Sequence, residues 1–258
     1  AAAYGPFVDM TPDDYQRTIG VTLLGIVNTT HAALPHLQRS AGSLIVVGSI
    51  SGRLPTPWLA AYTAAKYGVR GFARTLQIEL RSLGIPVNVA LIAPGPVDTP
   101  FWRRARTTDS RVMPRVLGAY RPEDVADEVM RAIGSARTER TVGGVLAIGA
   151  LLDALAPNIA LRTIGSVAKL GWLRRDDRPP QPADNLAAPS ADAQLRIGFR
   201  SRPSALGKLR ELHHGVGAVL RATASRGWAD PPAADRRHAR SSADAARRSD
   251  EVLGDRAR

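Results

Sequence analysis

The sequence predicts an α/β fold, namely the C-terminal part of a doubly wound parallel sheet that keeps three strands and their flanking helices. Two observations predict it. Helical and strand-like patterns alternate along residues 11–149, which is the order expected of βαβ units. The strand-like runs are apolar without polar alternation, as in parallel strands that helices cover on both faces.

The first predicted helix covers residues 12–38. Thr11 is a good N-cap, Pro12 stands at the first helical position, and the two aspartates that follow favour the positive end of the helix dipole. Apolar residues then recur at helical spacing, at Ile19, Leu23, Ile26, Val27, Ala33, Leu34 and Leu37.

Two strands flank the second helix. The run GSLIVVGS, which Gly42 opens, predicts the first strand, and the run IPVNVALIAPG predicts the second. Between them, residues 59–83 predict a long helix that Gly84 ends.

The chain continues with a polar, Arg-rich connection over residues 96–120. A further helix is predicted to begin near Pro122, and TVGGVLAIG over residues 141–149 predicts a third strand. A sheet of only these three strands would leave one edge open.

The character of the sequence changes after Trp172. Residues 1–173 are therefore assigned to a partial catalytic domain, and residues 174–258 to an extension rich in Pro, Arg and Ala. Because the extension lacks periodicity, we expect it to be largely disordered, with a candidate amphipathic helix over residues 206–225.

The composition excludes several classes of protein. With no cysteine, disulfides and thiolate chemistry are excluded, and five scattered histidines predict no metal site. The net charge of +12 raises nucleic acid as a partner. Lysine occurs only at positions 66, 169 and 208, so 32 of the 35 basic residues are arginine. This skew indicates GC-rich coding as much as phosphate binding, and we expect no nucleic acid partner.

The most apolar stretch, residues 143–161, is interrupted by Asp153 and Pro157, so no membrane span is predicted. The first residues show neither a basic region nor a long apolar core. We therefore expect a cytoplasmic protein.

A serine, a tyrosine and a lysine carry the candidate chemistry. Tyr62 and Lys66 stand four residues apart in the second helix, so they project from one face, and Ser49 ends the preceding strand. An ammonium group one turn away favours the phenolate and lowers the pKa of the phenol. The set can move a proton on and off a carbonyl oxygen while hydride moves at carbon. The plainer alternative is a Tyr and a Lys that pack on a helix surface.

The stretch from Gly42 to Phe101 resembles the core of a short-chain dehydrogenase/reductase. In that family a Ser, a Tyr-x-x-x-Lys pair and a Pro-Gly-x-Val-x-Thr segment recur in this order, and the resemblance covers about residues 1–150. It implies a Rossmann-like sheet, NAD or NADP as cofactor, and a small-molecule secondary alcohol or ketone as substrate. Which of the two dinucleotides is preferred stays open.

The resemblance also implies a role for each residue. Ser49 would position the substrate oxygen, Tyr62 would be the general acid/base, and Lys66 would lower the pKa of the tyrosine and bind the nicotinamide ribose. The cofactor-binding set is completed by the segment that runs along the nicotinamide, in which Thr99 would reach the carboxamide. That segment is Pro94, Gly95, Val97 and Thr99.

The sequence departs from the family pattern at two places. Thr22 stands where the family has an Asn that shapes a helix bulge and holds a water in the proton relay. The family's Gly-rich turn for the pyrophosphate, G-x-x-x-G-x-G, occurs nowhere in the chain. Roughly ninety residues of the pattern are missing before AAAYGPF, which predicts an N-terminally truncated chain that is inactive alone.

Three function classes stay open. The first is the oxidoreductase. The second is a non-catalytic fragment that associates through helices 12–38 and 59–83, which the family uses to form dimers or tetramers. The third is a nucleic-acid-associated protein.

A loop that covers the substrate in the family is rich in arginine here. These residues either recognise an acidic substrate or belong to a solvated loop. They are Arg103, Arg104, Arg106, Arg111 and Arg115.

Overall fold

The computed structural model describes residues 2–107, 112–114, 119–135, 137–169 and 173–175. The strands in these ranges are β1 (Ala3–Tyr4), β2 (Ser43–Val47), β3 (Asn88–Pro94), β4 (Arg106–Thr107), β5 (Val112–Pro114), β6 (Glu139–Val142) and β7 (Leu173–Arg175). The α-helices are α1 (Pro12–Ile19), α2 (Gly25–Ser40), α3 (Ala60–Ser82), α4 (Phe101–Arg104), α5 (Pro122–Ala132), α6 (Gly144–Leu155) and α7 (Pro157–Lys169). The candidate helix over 206–225 and the extension beyond residue 175 lie outside the described residues.

The central sheet is parallel and has the order β2-β3-β6. Ser43 stands opposite Asn88 in the first pair, and Leu91 stands opposite Glu139 in the second. The predicted α/β class with parallel strands is confirmed. Within the described ranges, β2 and β6 occupy the two ends of this sheet.

Strand β3 is the centre of the core because both of its faces are covered. Leu91 packs with Val69 and Ala73 of α3, whereas its neighbour Ile92 packs on the other face with Ala132 of α5. Successive side chains of a strand point to opposite faces. Leu91 and Ile92 are at most 1% exposed, and burying each contributes about 2–3 kcal/mol.

The first predicted helix is present but is not uniform. A capping box opens it, because the Thr11 hydroxyl accepts from the Asp14 N–H and the Asp14 carboxylate accepts from the Thr11 N–H. Between α1 and α2 the backbone forms a π-helical segment over Gly20–Leu24. Such a segment is a one-residue bulge in a helix and is frequent at functional sites.

The second predicted helix matches α3 closely, since the expected bounds were 59–83. Gly84, with φ of 66°, ends the helical path at its C-terminus. None of the helices in the described part of the chain is long and apolar enough to cross a membrane.

The third predicted strand, over residues 141–149, is wrong in its bounds. The strand is β6, which ends at Val142, and the apolar run that follows forms α6 instead. Gly143, with φ of 127°, makes the turn between them. Periodicity cannot distinguish a short apolar strand from a buried helix. The polar start of β6 is stable because Glu139 forms an ion pair with Arg70 of α3.

Candidate active site

The carboxyl ends of β2 and β3 bring the candidate residues to one edge of the sheet. The Gly48 N–H donates to the Ile92 carbonyl at 2.7 Å, which continues the pairing of the two strands beyond Val47. Ser49 follows directly, and Pro94 and Gly95 end the neighbouring strand. In open parallel sheets, ligands bind at this edge.

A tight turn fixes Ser49 against α3. Ser49 is the N-cap of a 3₁₀ turn over Ile50–Gly52, and its hydroxyl accepts from the Ser51 N–H at 3.1 Å. A Cβ atom on Gly52 would stand 2.6 Å from the backbone oxygen of Lys66. Only glycine allows the turn to approach the helix this closely, and the approach places Ser49 beside Tyr62 and Lys66.

Tyr62 and Lys66 lie one turn apart on α3, as predicted. The Ser49 hydroxyl lies close enough to the Tyr62 phenol to lower the pKa of that phenol. Lys66 is only 9% exposed, and its Nζ donates to the Val47 carbonyl at 3.0 Å. The same Nζ lies 5.6 Å from the centroid of the Tyr62 ring. The three side chains therefore form one cluster at the end of β2.

Burial controls the electrostatics of this cluster. It raises the pKa of Tyr62 to about 12, and the Ser49 hydroxyl opposes that rise. It lowers the pKa of Lys66 from 10.5 to about 8. The expected effect, a tyrosine pKa lowered by Lys66, is the opposite of this direction. The reason is that desolvation disfavours both charged forms, and the lysine loses part of its own charge near neutral pH.

The Pro-Gly segment is fixed to the neighbouring strand. The Gly95 N–H donates to the Val142 carbonyl at 2.8 Å, and a Cβ atom on Gly95 would approach Tyr120 and Leu146 within 3.2 Å. Val97 pairs with Tyr120 as an isolated bridge. These contacts hold the start of the segment at the same edge as Ser49.

Thr99 lies at the end of that segment and is partly exposed. Its N–H donates to the Val97 carbonyl at 2.9 Å, which makes a tight turn. Pro100 and α4 follow directly. The structure therefore places Pro94, Gly95 and Val97 next to the strand end, with Thr99 at the entrance to α4.

Sequence reasoning missed an apolar wall beside Tyr62. Phe101 and Trp102 of α4 pack with Tyr62 against a buried cluster that includes Tyr4 and Leu59. The Phe101 ring centroid lies 5.5 Å from that of Tyr62, with a tilt of 55° between the planes. The one available signal was two adjacent aromatic residues directly after the Pro-Gly segment, within a connection that is otherwise polar.

Thr22 lies within the π-helical segment and is 7% exposed. The neighbouring Leu23 packs tightly on α3, since a Cβ atom on Gly68 would stand 2.8 Å from its Cδ2. The bulge that the resemblance associates with Asn is therefore present with Thr at that position.

Comparisons with known proteins agree with this geometry. A family model described as short chain dehydrogenase matches residues 1–110. The uncharacterized oxidoreductase YxnA of Bacillus subtilis is 29% identical over 189 residues, which cover 72% of this chain and 52% of the relative. The putative oxidoreductase SadH of Mycobacterium tuberculosis is 31% identical over 173 residues, which cover 64% of this chain and 60% of the relative.

Two solved structures share the fold. A short chain dehydrogenase from Burkholderia cenocepacia in complex with NADP is 22% identical, with a TM-score of 0.54 over 64% of this chain and 65% of its own. A short chain dehydrogenase/reductase from Burkholderia phymatum in complex with NAD is 20% identical, with a TM-score of 0.54 over 62% of this chain and 64% of its own. The chain spans about half to three fifths of the length of the first two curated relatives. The chain is therefore similar to short chain dehydrogenases over residues 1–110, and it shares the fold of the two solved structures.

Proposed function

We propose that the chain is the catalytic part of an NAD(P)-dependent oxidoreductase that interconverts a secondary alcohol and a ketone. The observation that carries this proposal is the cluster of Ser49 at the end of β2 with Tyr62 and the buried Lys66 on one face of α3, in which Lys66 Nζ lies 5.6 Å from the centroid of the Tyr62 ring. Two O–H donors and one cation around a single position suit an oxygen atom that gains and loses negative charge.

Each residue has a definite part in ketone reduction. Ser49 and Tyr62 donate hydrogen bonds to the carbonyl oxygen, which polarises the carbon toward attack. Tyr62 then transfers its proton to that oxygen, so the alcohol forms without a free alkoxide. Lys66 stabilises the tyrosinate that remains, and in alcohol oxidation Tyr62 accepts the proton back.

The residues present fit the nicotinamide end of the cofactor. The Lys66 ammonium is held at the edge of the sheet where nucleotides bind in open α/β folds, and the Pro94–Thr99 segment crosses the same edge. When bound, the dinucleotide supplies or accepts the hydride at the substrate carbon. Lys66 and Thr99 would hold it, through the ribose and the carboxamide respectively. Both structural neighbours described above contain such a dinucleotide, one NADP and the other NAD.

The experiment that tests this function compares Tyr62→Phe with the unchanged protein, using both NADH and NADPH. Removing one oxygen atom leaves the ring packing in place but removes the proton donor. We expect turnover to fall by at least a hundredfold, with dinucleotide affinity changed by less than threefold. A Phe variant that keeps more than a tenth of the activity would show that Tyr62 is not the acid/base.

A second reading, association without catalysis, has its own support. Val21 and Leu24 on the first helical run are 52% and 51% exposed, and Ile78 on α3 is 67% exposed. These apolar positions lie on the two helices that we propose join copies into a homodimer or tetramer. Light scattering should show that Leu24→Glu gives monomers, whereas Met130→Lys on α5 leaves the mass unchanged. Dinucleotide binding separates the enzyme from a purely associating fragment.

A further inference from the structure

The surface next to the Tyr62 phenol is aromatic and apolar. The Phe101 and Trp102 rings pack edge to face, with their centroids 5.1 Å apart, and the Phe101 ring contacts the Tyr62 ring. Below them lie Leu59 and Tyr4, which are 1% and 4% exposed. Phe101 and Trp102 are both only partly buried.

This wall is held in place from both ends. The Arg104 and Ala105 N–H groups donate to the Pro100 and Phe101 carbonyls, which closes the turn of α4. Immediately after it, β4 pairs with β1, and the Arg106 N–H donates to the Ala2 carbonyl at 3.0 Å. Phe101 is therefore anchored by backbone bonds and is a fixed part of the site.

One positive charge next to this wall, that of Arg106, is held by a buried carboxylate. The Arg106 guanidinium binds the carboxylate of Asp14, which is 3% exposed. Burial alone would raise the pKa of Asp14, but hydrogen bonds from Thr11 and Arg106 together lower it, so the pair is ionised at neutral pH. The side chains of Arg103, Arg111 and Arg115 lie outside the described residues. The described wall thus offers an arene, whereas a carboxylate placed there would lose its hydration.

We infer that the site selects a ketone or alcohol whose reacting carbon carries a bulky apolar group, an aryl group above all, and that Phe101 is the side chain that selects it. The inference rests on the proposed function. A carbonyl oxygen that reaches both Ser49 and Tyr62 places its carbon substituents beside the Tyr62 ring, where Phe101 stands. Aromatic rings in such contact favour tilted or edge-to-face packing.

Equilibrium binding tests the inference without requiring turnover. Acetophenone and benzoylformate share the phenyl ketone, but benzoylformate replaces the methyl group with a carboxylate. Ligand-observed NMR titration of the protein, with and without NADH or NADPH, should show that acetophenone binds at least tenfold more tightly than benzoylformate. Equal binding, or tighter binding of benzoylformate, would overturn the inference.

Substitutions at Phe101 test whether this side chain determines the preference for an aryl ketone. Phe101→Ala should lower the affinity for acetophenone at least tenfold and change that for 2-butanone less than threefold. Phe7→Ala, which removes an aromatic side chain that is 73% exposed, should change neither. If Phe101→Ala does not fold, Phe101→Leu replaces it in this titration, because leucine keeps apolar packing but lacks the aromatic ring. An unchanged preference in both Phe101 variants overturns the assignment of Phe101. If acetophenone binds selectively but no ketone is turned over, the proposed function is wrong and the inference about Phe101 stands.

Discussion

At the scale of single residues, the candidate site depends on a lysine buried at the end of a strand. A hydrogen bond from Lys66 Nζ to the Val47 carbonyl, 3.0 Å long, holds the side chain in position. A carbonyl dipole compensates a buried cation only in part, so the pKa of Lys66 falls to about 8. This makes the protonation of Lys66 sensitive to mildly alkaline pH.

The first prediction follows from that pKa. Between pH 8 and pH 10 the unfolded chain keeps the Lys66 proton, whereas the folded chain loses it. The free energy of unfolding must therefore rise with pH in this window, by about 2 kcal/mol from this residue. Urea denaturation of the unchanged protein and of Lys66→Met should show this rise only in the former. Arg74→Met, at an exposed position on the same helix, should keep it.

The second prediction concerns Gly52 and has a control of opposite sign. A methyl group at Gly52 would meet the Lys66 carbonyl, so Gly52→Ala should lower the free energy of unfolding by about 1–3 kcal/mol. It should also reduce turnover, because the turn that carries Ser49 must move away from α3.

The control is at Gly71, also on α3, where a Cβ atom would meet nothing within 4 Å. Gly71→Ala should therefore raise the free energy of unfolding by about 1 kcal/mol. A harmless Gly52→Ala would contradict the close approach.

At the scale of elements, the sequence predicted those parts that local chemistry determines. Thr11, Pro12 and Asp14 start a helix by themselves, and Ser49, Tyr62 and Lys66 come together because a strand end and one helix face suffice to join them. The bounds of β6 could not be predicted, because the charged Glu139 lies in this strand with ion pairs to Arg53 and Arg70, both distant in the sequence. The wall of Phe101 could not be predicted either, since it depends on the pairing of β1 with β4, in which Ala3 stands opposite Arg106, 103 residues further along the chain.

The third prediction tests how α1 is tied to β4. Asp14→Asn keeps the shape of the side chain but removes the charge that binds Arg106 and supports the capping box. The free energy of unfolding should fall by about 2 kcal/mol at pH 7. Asp13→Asn, at a position where the ion pair with Arg17 is exposed, should cost less than about 0.5 kcal/mol.

The pH dependence of this difference is a further check on the same pair. The pKa of Asp14 is lowered in the folded chain, so its contribution is present above the unfolded value of 3.8 and is lost as the pH falls through the folded value. Denaturation midpoints for the two asparagine variants should therefore converge in acid. A gap that persists at pH 2 would mean that Asp14 acts through packing alone.

At the scale of the whole molecule, the proposed cofactor contacts concern one end of a dinucleotide. We propose Lys66 and Thr99 for the nicotinamide half, and the 258 residues contain no G-x-x-x-G-x-G turn for the pyrophosphate. In doubly wound folds that turn and the helix after it supply backbone N–H groups and a dipole for the phosphates. The division of labour between the two halves of the cofactor can therefore be measured directly.

The fourth prediction is that residues 1–258 bind reduced nicotinamide mononucleotide and NADH with nearly equal affinity. Because the sequence holds no Gly-rich turn for a pyrophosphate, we expect the adenosine and the second phosphate of NADH to add less than threefold to the binding constant. Losing several kcal/mol of phosphate contacts moves a micromolar dissociation constant toward millimolar, since each 1.4 kcal/mol is tenfold. Calorimetric titration of both ligands, with Lys66→Met as the variant that should weaken them equally, measures this. NADH bound at 10 micromolar or tighter, with the mononucleotide far weaker, would reveal a phosphate site elsewhere in the chain.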